Sequence, residues 1–222
     1  MSSRREDRLF KLGPAARHRR CAGKDAVTVP VLESVVVRSP KTFYALLMPC
    51  YSGPELEVLA RKGVPKSNIW GIEKDLATFR CMRRRLGINM LHDALSSDKS
   101  IVHVASIMAE MGARFGLIYL DYFGQPHAEH VRVLRHIFLR KMLAESGILL
   151  LTFGKNRSHR YVARINQKLS TSVPVRHYVD TVLRQCRKKD PSVSPYKTLR
   201  EFRYKSRQGP SEHEYVLTEV KF

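Results

Sequence analysis

The sequence predicts an α/β protein: a doubly wound, mostly parallel sheet that ends in a C-terminal antiparallel hairpin. Three observations carry that expectation. Short apolar runs within residues 42–50, 68–75, 88–95, 115–121 and 148–154 alternate with segments of helical spacing. Punctuating residues such as Gly53, Pro54, Gly63 and Gly87 fall between them. From residue 196 the period changes, and "YKTLREFRYKS" and "EYVLTEVKF" alternate around "RQGPSEH".

The elements follow in order. Residues 1–25 are charged and basic, with a Gly-Pro break, and read as a flexible N-terminal arm ahead of one domain over 26–222. "AVTVPVLESVVV" (26–37) is β-branched and interrupted by Pro30, so it reads as an edge strand or an extended lead-in. "TFYALLMPC" (42–50) reads as a buried strand. "YSGPE" is a turn whose Ser52 can cap the helix of "PELEVLARKG" (54–63). "NIWGIEKD" (68–75) is a second strand ending in acids, followed by a helix over 75–87 between Asp75 and Gly87. "INMLHDAL" (88–95) is a third strand and 100–112 a helix; "FGLIYLD" (115–121) is the fourth strand. A long amphipathic helix is expected over 127–147, a fifth strand over 148–154, and helices over 160–170 and 175–189.

Length and charge bound the function. The chain has 222 residues, 43% of them apolar, enough for one generous core. Lys and Arg number 40 against 20 Asp and Glu, a net charge of +20. Folding needs no such surplus, and nucleic acid is the partner it suits best, through counterion release. No apolar run reaches the length of a membrane helix, and the N-terminus lacks the apolar core of a secretory signal. A cytoplasmic protein, or a nuclear one in a eukaryote or virus, is expected, with no membrane partner. Cys21, Cys50, Cys81 and Cys186 are scattered without a CxxC pair, and read as reduced thiols. His92, His103, His127, His130 and His136 lack ligand spacing, so no metal is expected.

In doubly wound sheets ligands bind beyond the carboxyl ends of the strands. Those ends hold Pro49-Cys50-Tyr51-Ser52-Gly53, then Glu73, Asp93 and Asp121. Glu73 lies about 20 residues after the first turn, where nucleoside sites place a carboxylate on ribose hydroxyls. Asp121 closes the buried run "LIYL", where an acid needs partners or a function. This order of strand, glycine turn, strand-Glu, strand-Asp, strand-Asp-aromatic and terminal hairpin resembles a class I S-adenosylmethionine-dependent methyltransferase over roughly residues 42–222.

The resemblance implies a Rossmann-like fold and S-adenosylmethionine as cofactor. It implies that Pro49, Tyr51, Ser52, Gly53 and Glu55 pass the methionine part. Glu73, flanked by Lys74, would hold the ribose, and Asp93 with Ala94 the adenine. "DYFG", Asp121-Tyr122-Phe123-Gly124, is similar to the motif of methyltransferases that act on exocyclic amino groups of bases. In them the acid and a backbone carbonyl accept hydrogen bonds from the amino group, and an aromatic residue stacks on an everted base. Asp121, Tyr122 and Phe123 are the implied catalytic residues.

Two features depart from that pattern. The first turn offers one glycine followed by Pro54, and Tyr122 stands where the amino-methyltransferase motif has proline. The alternative reading is therefore a catalytically inactive methyltransferase-fold protein that binds nucleic acid. Lys155 and Arg157 follow the fifth strand, beside Asp121, with Arg160 close behind. With Arg187, Lys188 and Lys189 they are the candidate phosphate contacts. A proton-transfer role for His127 is a further, weaker option.

Overall fold

A computed structural model describes residues 25–49, 53–92, 99–122, 128–155, 175–208 and 211–222. The first element is a helix, α1 (residues 25–33), where the sequence suggested extended chain. Thr28, Val31, Leu32 and Val35 are all buried. Thr28, Val31 and Leu32, three and four residues apart, form one helix face, with Val35 buried just past its end, and burying that face overrides the β-branched composition.

The remaining elements alternate. They are β1 (Tyr44–Leu47), α2 (Pro54–Arg61), β2 (Ile69–Glu73), α3 (Leu76–Leu86), β3 (Asn89–His92), α4 (Lys99–Glu110), β4 (Phe115–Asp121), α5 (Ala128–Leu139), β5 (Leu143–Lys155), α6 (Val175–Lys189), β6 (Thr198–Gln208) and β7 (Ser211–Lys221). The seven-stranded sheet has the order β3-β2-β1-β4-β5-β7-β6. Strands β1 to β5 pair in parallel, and β7 is antiparallel to both β5 and β6. The chain starts at the centre, winds outward to β3 and returns to place β4 beside β1. The switch point therefore lies between the tips of β1 and β4.

Helix α5 is shorter than expected, and β5 starts earlier. Lys141 adopts a left-handed conformation, φ 49°, which ends the helix. The Phe115 amide then donates to the Met142 carbonyl at 2.8 Å, drawing the chain into the sheet. Between Phe115↔Leu143 and Leu117↔Ile148 the register shifts, so β5 bulges over residues 144–147. A Cβ at Gly147 would stand 2.9 Å from the Ala144 carbonyl oxygen and 3.0 Å from that of Phe115, so the bulge needs glycine. The helix expected over 160–170 and the arm over 1–24 lie outside the described residues.

Both sheet faces are covered, as the unbroken apolar runs require. One face carries Ala45, Leu47, Ile69, Leu117, Tyr119, Leu150 and Leu217, under Val31 and Leu32 of α1, Val58 and Leu59 of α2, and Met82 and Leu86 of α3. The other carries Leu46, Ile118, Leu120, Leu149, Leu151 and Val220, under Ile101 and Val104 of α4, Leu134 of α5 and Val182 of α6. Each such buried Leu or Ile contributes about 1.5–3 kcal/mol of transfer free energy. The two faces decide which way each strand-tip side chain points.

Candidate active site

The registers bring the strand tips level. Leu47 pairs with Gly71 on one side and Tyr119 on the other, and the Met48 amide continues the ladder to the Tyr119 carbonyl at 2.9 Å. Two residues beyond Leu47, Pro49 is therefore level with Glu73 of β2 and Asp121 of β4. Glu73 pairs in turn with His92, and Asp121 with Thr152. Side chains alternate with period two. Glu73, Pro49, Asp121 and Thr152 thus share the face of Leu47 and Tyr119, covered by α1 to α3. Only the width of β1 separates the two carboxylate strands, about 10 Å at the backbone.

The acids at the β2 tip have different roles. Asp75 is the N-cap of α3, its Oδ1 accepting from the Thr78 amide at 2.7 Å. These Thr78 hydrogen bonds hold its carboxyl below the ordinary value of 3.8. Glu73 is half-buried, and its Oε1 accepts from the Asp75 amide at 2.8 Å. A carboxylate has about four acceptor sites, so this bond orients Glu73 without exhausting it. Lys74 is exposed, but its carbonyl lies 3.1 Å from His92 Nε2, which ties the β3 tip to the β2 tip. Phe79 of α3 packs on the His92 ring at 5.3 Å.

The β1–α2 turn closes through Gly53, at φ 74° and ψ 28°, a left-handed conformation that favours glycine. Pro54 takes the first helical position, where an amide would have no intrahelical partner, so the proline removes little. The amides of Leu56 and Glu57 donate to the Gly53 carbonyl at 3.0 and 3.1 Å. Glu55 is fully buried in this first turn, where the helix dipole favours an anion.

Asp121 is 8% exposed at the end of β4. Tyr122 is 4% exposed and turns to the opposite face. Its ring packs on His130, with centroids 3.9 Å apart, and stacks on Phe153 at 5.2 Å. Both ring faces of Tyr122, named with Asp121 and Phe123 as an implied catalytic residue, pack in the core, because consecutive strand residues point to opposite sides. Burial, and then the nearby Tyr178, push the Tyr122 phenol well above its ordinary range. It stays protonated and cannot act as a base. Its amide donates to the Thr152 carbonyl at 3.0 Å and holds the end of β4 to β5.

The structure separates the basic candidates. Lys155 ends β5, on the same edge as Asp121. Arg187, Lys188 and Lys189 form the last turn of α6. That helix runs back toward the start of β6, and Thr198 pairs with Lys221, which pairs with Ile148 near the start of β5. The Asp190 carboxyl, just past the end of α6, is held low by the hydroxyl and amide of Ser192 and by the charge of Lys141. The 187–189 run is thus at the amino edge, separated from the edge of Asp121 by roughly 20 Å along the strands, the length of a seven-residue strand, and by three strand spacings across the sheet. Tyr51, Ser52, Asp93, Ala94, Phe123, His127, Arg157 and Arg160 lie outside the described residues.

Sequence reasoning passed over His92 and Thr152 at this edge. Each is the polar residue closing an apolar run, the same signal that exposed Asp121. Among the described residues no group of three or more His, Cys, Asp and Glu could hold a metal ion, and Cys186 is a buried free thiol. No helix among them is long and apolar enough to cross a membrane.

No family model matches the sequence, and no curated protein matches it by sequence. In three dimensions the chain is similar to a SAM-dependent methyltransferase from Agrobacterium tumefaciens, at 12% identity and a TM-score of 0.52. That likeness covers 89% of this chain and 62% of the other, so the chain spans less than two thirds of its length. It is also similar to a possible exported protein from Bordetella parapertussis (TM-score 0.54, 12% identity, 96% of this chain and 71% of that). A third structure, a geranyl diphosphate methyltransferase in complex with GPP and sinefungin, gives a TM-score of 0.51 at 12% identity over 96% of this chain and 85% of that one. The fold is the class I methyltransferase fold, a Rossmann-like, mostly parallel seven-stranded sheet with its antiparallel hairpin at one end.

Proposed function

We propose that the chain is an S-adenosylmethionine-dependent methyltransferase that acts on a base in RNA or DNA. One observation carries the reading. Glu73 and Asp121 stand level, on one face, on either side of the β1 tip, at the switch point of a methyltransferase-type sheet. The residues fit the cofactor. Glu73 keeps acceptor sites for a ribose diol, and the left-handed Gly53 turns the chain sharply from the β1 tip into α2. In this reading Pro49, Tyr51, Ser52 and Glu55 line the methionine end, and Lys74, Asp93 and Ala94 the adenosine end.

Bound S-adenosylmethionine supplies an electrophilic methyl group on its sulfonium. The chain's own share is placement. The Asp121 carboxylate accepts a hydrogen bond from the exocyclic amino group of the base, and a neighbouring backbone carbonyl accepts another. That fixes the direction of the nitrogen lone pair. Phe123 offers the stacking ring that Tyr122 does not. Lys155, which ends β5 on the edge of Asp121, supplies a phosphate contact together with Arg157 and Arg160, and the net charge of +20 supports a polyanionic partner.

A second reading, a nucleic-acid-binding protein that has lost the cofactor, is favoured by the single glycine of the first turn. Calorimetry separates the two. S-adenosylmethionine binds the wild type and binds Glu73→Ala weakly if the enzyme reading holds; no binding to the wild type removes it. Nucleosides from nucleic acid treated with the protein and labelled cofactor, read by mass spectrometry, then identify the methylated base.

A further inference from the structure

We propose that the amino edge of the sheet, opposite Asp121, is a second binding surface that holds the phosphate backbone of a nucleic-acid duplex. This deepens the proposed function and rests on its reading of the partner as nucleic acid. The observation is an excess of bases at one edge, where Glu110, Glu145 and Asp190 are outnumbered. Strands β2 and β4 end in Glu73 and Asp121 at the carboxyl edge. At the amino edge the strands are entered through bases. Lys66 precedes β2, Arg114 precedes β4, Lys141 precedes β5 and Lys197 precedes β6, all of them exposed. The runs Arg83–Arg85 and Arg187–Lys189, also exposed, close α3 and α6 ahead of β3 and β6.

Helix-dipole compensation accounts for part of this, but not for all of it. Cations in a last turn stabilise a helix when they reach its final carbonyls. Three consecutive residues project about 100° apart, so they cannot all cover those carbonyls. Arg84 Nε reaches the Arg80 carbonyl at 3.4 Å, within its own helix, whereas other bases tie separate elements together. Lys62 Nζ donates to the carbonyls of Glu33 and Val35 at 2.8 and 2.9 Å, and Arg61 pairs with Glu33 at 2.8 Å.

The shape of the band selects the partner. β3 and β6 are the outermost strands, so the two runs bracket the sheet. Six strand spacings, roughly 29 Å, separate those two strands, and because α3 and α6 cover opposite faces of the sheet the runs stand farther apart than that. Duplex DNA of that length carries about 17 phosphates. A nucleotide or coenzyme needs one cluster; a line of bases suits a polymer. A bilayer would need apolar side chains beside the bases. The large exposed apolar residues among those described are Val36, Leu76 and Met111; Val36 and Met111 do enter this edge, ahead of β1 and β4, but two separate side chains, neither aromatic, make no continuous apolar face. The edge lies roughly 20 Å from Asp121, so a substrate that reaches both surfaces is larger than a short oligonucleotide.

The test is fluorescence anisotropy with labelled 24-base-pair RNA and DNA duplexes and a six-nucleotide single strand, across a salt series. The variant is Arg83→Gln, Arg84→Gln, Lys188→Gln, Lys189→Gln, with each pair also made alone. Duplex affinity should fall at least about tenfold, and the slope of log K against log salt should flatten by about 3–4, or 0.9 per lost phosphate contact. Each half variant should show about half the change in slope, and the short strand should lose less affinity than the duplex. Duplex affinity within twofold of the wild type, with an unchanged slope, overturns the proposal. So does tighter binding to phosphatidylserine vesicles than to either duplex. S-adenosylmethionine affinity, measured on the same variants, keeps the two readings apart. Its absence in the wild type ends the methyltransferase reading and leaves the band standing, and an unaltered duplex slope does the reverse.

Discussion

Glu73 and Asp75 stand two residues apart at one strand tip, and the geometry gives them opposite roles that mutagenesis can separate. Asp75 caps α3 through a 2.7 Å hydrogen bond from the Thr78 amide. Its replacement by alanine leaves that amide without its acceptor and costs about 1 kcal/mol, typical of a lost N-cap. In a chain of this length that lowers Tm by about 2–4 °C. The loss is pH-dependent with a definite sign. The folded carboxyl titrates below its ordinary value of 3.8, so its contribution is fully present above about pH 4 and fades as pH falls through the lower folded value. The Tm gap between wild type and Asp75→Ala should therefore hold from pH 7 to 5 and close in stronger acid. Cofactor affinity should stay within about twofold, since the helix remains in place. Glu73→Ala should do the reverse. Stability should change little, while S-adenosylmethionine affinity should fall about tenfold to a hundredfold, the worth of one charged hydrogen bond. Calorimetry and thermal scans on the two variants read both arms. An Asp75→Ala protein that loses the cofactor, beside a Glu73→Ala protein that keeps it, would refute the assignment.

Asp121→Asn should cut methyl transfer at least about a hundredfold in a nucleoside mass-spectrometric assay, with cofactor affinity preserved, because the substitution removes the charged acceptor and leaves the shape. Tyr122→Phe should leave activity intact and stability within about 1 kcal/mol, or raised. Its hydroxyl is buried without a hydrogen-bond partner among the described residues, and a loss above about 2 kcal/mol in urea unfolding would contradict that. Gly116→Ala should destabilise by about 1–3 kcal/mol, since a Cβ there overlaps the Phe43 ring, and an unchanged urea midpoint would show that the ring moves freely.

The central strands and their acids were legible because burial on both faces leaves unbroken apolar runs, as in "LIYL" before Asp121. The helix α6 and the terminal hairpin were legible from their periods. Helix α1 was missed because Val, Thr and Pro30 mask the three-and-four spacing of Thr28, Val31 and Leu32. Helix α5 was drawn too long because "RKMLAESG" contains good helix formers, while the Lys141 turn and the Phe115–Met142 bond are tertiary decisions. Tyr122 was grouped with Asp121 by adjacency, although strand alternation sends them to opposite faces. The amino-edge band could not be seen in the basic runs taken singly. It needs the strand order to bring Arg83–Arg85 and Lys188–Lys189 to the same edge.

A crystal structure of the chain with S-adenosylhomocysteine tests the pocket most directly. The account requires ribose hydroxyls within hydrogen-bonding distance of the Glu73 carboxylate and the sulfur on the Asp121 side of the β1 tip. Ligand density at any other place, with the space between β2 and β4 filled by the protein's own side chains, would contradict it.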